Sequence, residues 1–183
     1  MRLLIPALAT AALLSGCSGM VRTVLHEYPQ TSAVARDLLQ DAAAAGPVLL
    51  EVRDNPFSGD VARSLAAAAS ATSVGFTARF TTDRAQAGRS DFRLVVQFSP
   101  APGVSAAEVC DSSRPVAKTP TEGLTAMVAF CKQAQPILAT AAVAPKADGP
   151  DAPVVRQIAE EAMLRMFIPS GSRDTPGDFW PNL

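Results

Sequence analysis

The spacing of apolar positions changes several times along this chain, and each change marks an element. Residues 3–14, LLIPALATAALL, are an unbroken apolar run. Over residues 32–45 the spacing becomes helical: Val34, Leu38 and Ala42 fall four apart, with Arg36, Asp37 and Asp41 off their stripe. Ser32 is placed to cap this helix and Gly46 to end it. PVLLEVR, residues 47–53, reads as a strand, and Asp54-Asn55-Pro56 as a turn. A second helix over 58–71 places Val61, Leu65 and Ala68 on one face. Its alanine run 66–69 combines high helix propensity with little bulk, which suits close packing on a sheet.

The spacing then shortens to two. Phe76, Ala78 and Phe80 alternate with Thr77, Arg79 and Thr81, while Phe92, Leu94, Val96 and Phe98 alternate with Arg93, Val95 and Gln97. Period two puts successive side chains on opposite faces, so each run has one buried face. Polar DRAQAGRS, with Gly88, separates them. We therefore expect strands over 75–82 and 91–99 joined as an antiparallel hairpin. Residues 100–121, rich in Pro, Ser and Ala, read as a long excursion. Two apolar runs, 123–131 and 136–144, flank KQAQ and predict a second hairpin. Lys132, Gln133, Gln135 and Pro136 interrupt them too strongly for a membrane span.

DAPVVRQIAEEAMLRMF, residues 151–167, predicts a third helix capped by Asp151, with Pro153 tolerated in the first turn. Val155, Ile158, Ala162, Met163 and Met166 form its inner stripe, the methionines as core filler. Arg156, Glu160, Glu161 and Arg165 form the wet face, with two i,i+4 ion pairs. Residues 169–183 have Pro or Gly at nearly every third place and read as a flexible tail. The sum is one α+β domain over 32–168, with a mixed or antiparallel sheet of about five strands and helices packed on one face.

The N-terminus supplies an address. Arg2 precedes the apolar run, which is too short to span a bilayer and fits the core of a secretory signal. The run ends in Leu14-Ser15-Gly16-Cys17, an aliphatic residue, two small ones and a cysteine. This resembles the lipobox of bacterial lipoproteins at all four positions. The resemblance implies removal of residues 1–16 and acylation of Cys17, with residues 17–31 as the lipidated start and tether. Two or three acyl chains anchor stably where one does not. Ser18, in place of the aspartate that retains enterobacterial lipoproteins at the inner membrane, implies an outer-membrane protein facing the periplasm.

Composition narrows the partners. The 183 residues carry 16 Lys+Arg against 17 Asp+Glu. Neither nucleic acid nor an anionic bilayer surface is favoured by that balance. Beyond Cys17 only Cys110 and Cys131 remain. In an exported chain such a pair forms a disulfide, and the absence of C-x-x-C spacing argues against a redox dithiol.

The search for chemistry yields little. His26 is the only histidine. It lies in the tether beside Glu27 and reads as solvated, so no Ser-His-Asp or Cys-His site, and no metal site built on histidine, is expected on the domain. Phosphate-binding and dinucleotide-binding glycine motifs are absent, so no cofactor is implied. Asp54, Asp60 and Asp91 are the one set of carboxylates considered for a catalytic site. DGPD, residues 148–151, falls far short of a calcium loop.

Arg79, Arg84, Arg89 and Arg93 cluster around the first hairpin and are candidates for an acidic surface, such as lipopolysaccharide phosphates or a partner protein. Phe179 and Trp180 are an apolar aromatic pair in the tail; they dock on a partner or fold back onto their own domain. The leading expectation is a non-catalytic interaction module with an envelope protein partner, tethered to the membrane through Cys17. A carrier of a small apolar ligand or lipid is the alternative, and a carboxylate-dependent enzyme the third.

Overall fold

The computed structural model describes residues 21–26, 30–113, 115–119 and 121–169. Cys17, Phe179 and Trp180 lie outside them, as do the signal segment and the tail beyond Pro169. In chain order the elements are β1 (Arg22–His26), α1 (Ser32–Ala44), β2 (Val48–Arg53), α2 (Val61–Ala71), β3 (Phe80–Thr81), β4 (Phe92–Phe98), α3 (Ala106–Cys110), β5 (Leu124–Lys132), β6 (Gln135–Ala144) and α4 (Pro153–Phe167). The strands form one six-stranded mixed sheet in the order β1-β6-β5-β4-β2-β3. The α+β class stands as expected.

The second hairpin forms as its sequence suggests. β5 and β6 pair antiparallel, with Lys132 opposite Gln135 and a two-residue turn whose first member, Gln133, has φ +53°. The first hairpin does not form. β3 is reduced to two residues and pairs parallel with β2, while β4 pairs parallel with the other edge of β2. The two alternating runs therefore flank β2 instead of each other. Period two reports which side of a run is buried, and that part holds: Ala78 is buried, Phe76 and Phe80 half-buried, and Thr77 and Arg79 exposed. It does not report which strand lies alongside. The sixth strand, β1, comes from the segment read as tether and pairs antiparallel with β6, Val24 opposite Ala141.

Three helix starts are set by side chains. Thr31, one residue before Ser32, caps α1, its Oγ1 accepting from the Val34 amide at 3.3 Å. Asp60 caps α2, accepting from the Arg63 amide at 3.2 Å. Ser105 and Glu108 form a reciprocal capping box on α3. Asp151 does not cap α4: Ala152 occupies that place, and the Asp151 carboxylate accepts from the Ser64 hydroxyl, tying α4 to α2. The expected pairs Arg156–Glu160 and Glu161–Arg165 are not made; the Arg156 Nη1 donates to the Asp151 carbonyl at 3.2 Å.

Helices α1, α2 and α4 cover one sheet face. Their core includes Leu39, Leu65, Phe92, Leu94, Phe98, Ile158 and Met163, with the ring of Phe130 5.7 Å from Phe92 and 5.4 Å from Phe167. The three expected helices share this face; α3, a helix the sequence did not announce, does not. That helix, within the excursion 100–118, lies on the other face with Val104, Val109 and Val116 against Val95, Met127, Ala129 and Ala139. A disulfide joins Cys110 of α3 to Cys131 of β5, with Cα atoms 5.7 Å apart. We call this excursion the flap. Because of it, every residue of β4 is buried.

Candidate functional site

The polar groups of interest lie where β2 and β4 meet the flap. The parallel register sets Glu51 beside Val95 and Arg53 beside Gln97. Alternation then brings Glu51, Arg53, Arg93 and Gln97 to the flap face. Arg93 is buried. Its Nη2 donates to the Cys110 carbonyl, and its Nε lies 3.2 Å from the Glu51 carboxylate. Arg84 reaches the other oxygen of the same carboxylate. Arg53 donates from Nη1 to the Asp111 carbonyl at 3.1 Å.

A second cluster lies one turn along the strands. Gln97 is fully buried, its Nε2 donating to Asp54 Oδ2 and to the Phe98 carbonyl, each at 2.7 Å. Lys118 of the flap donates to Asp54 Oδ1 at 2.9 Å. The hydrogen bonds from Lys118 and Gln97 hold the Asp54 carboxyl below its ordinary 3.8. A depression of about 500 Å³ opens here, lined by Arg53, Asp54, Gln97, Ser112, Ser113 and Lys118. A neighbour of about 420 Å³ opens over Glu51 and Arg84. In the first, flap and sheet meet through the Lys118–Asp54 pair; in the second, Ser112 of the flap lies near the Glu51–Arg84 pair. Glu51 pairs with two guanidiniums, and the partners of Asp54 hold its carboxyl ionised. What this arrangement does is fasten the flap.

The four arginines do not make one patch. Arg93 and Arg84 share Glu51. Arg89 grips Asp91 with two hydrogen bonds of 3.0 and 2.9 Å, reaches Asp41 at 2.6 Å, and lies over the Phe92 ring at 4.6 Å. That grip lowers the Asp91 carboxyl below its ordinary value. Arg79 is exposed beside β3. The three aspartates are also separate. Asp54 follows the C-terminal end of β2 and Asp91 precedes the N-terminal end of β4, strands that run parallel, so about 20 Å of sheet lies between them. Asp60 caps α2. The carboxylate set weighed for catalysis is thereby dispersed. Among the described residues no three His, Cys, Asp or Glu converge to hold a metal ion, and no helix is long and apolar enough to cross a membrane.

No protein-family model and no curated protein matches the chain. Among solved structures it is similar to PelC from Paraburkholderia phytofirmans. A dodecamer of a single-substitution variant of PelC aligns with 80% of this chain and 94% of its own at 10% identity, with a TM-score of 0.35. Another PelC dodecamer covers 81% of this chain and 94% of its own at 10% identity and a TM-score of 0.34.

Sequence reasoning missed Glu51, Gln97 and Lys118. A glutamine between Val96 and Phe98 was the available signal for Gln97, since a buried amide needs partners. Nothing in the excursion's composition pointed to Lys118 as one end of an ion pair with Asp54.

Proposed function

We propose that this protein is a lipid-anchored module of the bacterial envelope, facing the periplasm from the outer membrane, which binds an envelope protein and transforms no substrate. The observation that carries this reading is the start of the sheet at Arg22, five residues after the lipobox cysteine. A link of that length spans at most about 18 Å. Arg22 pairs with Val143 and Leu124 with Ala144, so the same end of the sheet carries the loops of residues 56–58, 121–123 and 146–150. Anchoring at Cys17 would hold that end against the bilayer and raise the local concentration of a weak binder beside a membrane partner. The Cys110–Cys131 bond accords with an oxidising compartment. The β3 edge, with Arg79 and Arg84, would face sideways toward such a partner.

Metabolic labelling with an alkyne fatty acid tests the anchor: the full chain should take the label and Cys17→Ala should not. Crosslinking in the native cell then tests the partner, with a form exported behind an ordinary secretory signal as the unlipidated control. One envelope complex enriched only with the anchored form supports the reading. An unlabelled wild type overturns the anchor, and lipid or small molecule recovered with no protein replaces the module by a carrier.

A further inference from the structure

The flap covers only part of its sheet face. The apolar contacts beneath it end at Met127 and Ala139. Beyond them, on the same face, lie Val24 of β1 and Ala141 and Val143 of β6. Val24 stands opposite Ala141 and Arg22 opposite Val143, so the two valines are diagonal neighbours across the β1–β6 pair. They are 65% and 57% exposed. Single exposed apolar residues are ordinary on a protein surface. Two that extend a buried core to its open margin have the form of a surface that something covers.

We propose that the C-terminal segment of this same chain covers it, with Phe179 and Trp180 seated over Val24, Ala141 and Val143. Chain length supports the choice. α4 ends with Phe167 against Phe130, close to the β5–β6 turn and on the opposite sheet face. From there a path around the sheet to Val24 is about 30 Å long: one sheet layer, two strands sideways and three residues back along the strands. Nine extended residues, 170–178, span about 30 Å, so Phe179 is the first aromatic side chain that arrives. The segment's chemistry fits. Trp180 is the only tryptophan of the chain, it follows a phenylalanine, and Pro176 and Pro181 favour the extended backbone such a crossing needs. A Phe-Trp pair buries enough apolar area to cover two valines and an alanine.

Trp180 is its own reporter. The mature chain, exported without lipid and purified, should show tryptophan emission blue-shifted from the denatured chain and resistant to acrylamide, independent of protein concentration. In the double variant Val24→Asp/Val143→Asp the emission should move to the denatured position and acrylamide quenching should rise several-fold, with the far-UV circular dichroism melt retained. Val34→Asp, on α1, should change neither. If the double variant does not fold, Val143→Ser should give the same shift in smaller measure. Wild-type emission already at the denatured position overturns the proposal. So does shielding that the valine substitutions leave intact, shielding lost on dilution (a second copy as occupant), or shielding seen only with added lipid vesicles (the bilayer as occupant).

Discussion

Arg93 lies in a strand whose every residue is buried; it donates to the Cys110 carbonyl of α3 and forms an ion pair with Glu51 of β2. Removing it strands the Cys110 carbonyl and one side of Glu51 beneath the flap. Arg93→Ala should therefore lower stability by about 3 kcal/mol, the scale for breaking a buried pair by deleting one partner. Arg93→Met, which fills the space without the charge, should lose less. Arg84 binds the same carboxylate but is 65% exposed, so Arg84→Ala should cost under about 1 kcal/mol. Urea denaturation of the three variants checks the order. From sequence, Arg93 read as one of four equivalent outward arginines. Alternation correctly put it opposite Phe92 and Leu94, but "opposite the core" means solvent only if nothing covers that side.

At the scale of elements, long periodic segments were legible and short ones were not. α1, α2, α4 and β4 follow from the spacing of apolar positions, and β2 and the β5–β6 hairpin from apolar runs bounded by turn or polar residues. β1 was hidden in five residues between two segments that carry no pattern, and its partner lies at the far end of the chain. α3 is only five residues long, yet Ser105 and Glu108 spelled its capping box. The disulfide was legible from compartment logic, and its role in pinning the flap became clear with the second core. In the chain-entropy model, closing its 21-residue separation contributes about 3 kcal/mol. Reduction, or Cys110→Ala/Cys131→Ala, should lower the urea midpoint accordingly. The flap should lose amide-exchange protection before the face covered by α1, α2 and α4 does.

For the molecule as a whole, the two carboxylates with lowered values sit at opposite ends of the sheet and act in the same sense. A carboxyl whose folded value lies below its unfolded one stabilises the fold fully above the unfolded value and less as pH falls through the folded one. For Asp54 and Asp91 that window opens near 3.8 and extends downward. Thermal melts should show stability dropping as pH is lowered through this range. In Asp54→Asn/Asp91→Asn the melting temperature should start lower at neutral pH and fall less steeply with acid.

The β1–β6 pairing sets an order of events. A chain is made from its N-terminus, and among the described residues the only strand bonded to residues 22–26 is the one that contains residues 139–143. The first described strand thus cannot join the sheet until β6 has been made. Residues up to 143 of the 183 must be made before β1 can pair. Until then Thr23 and Val24 have no described strand to pair with.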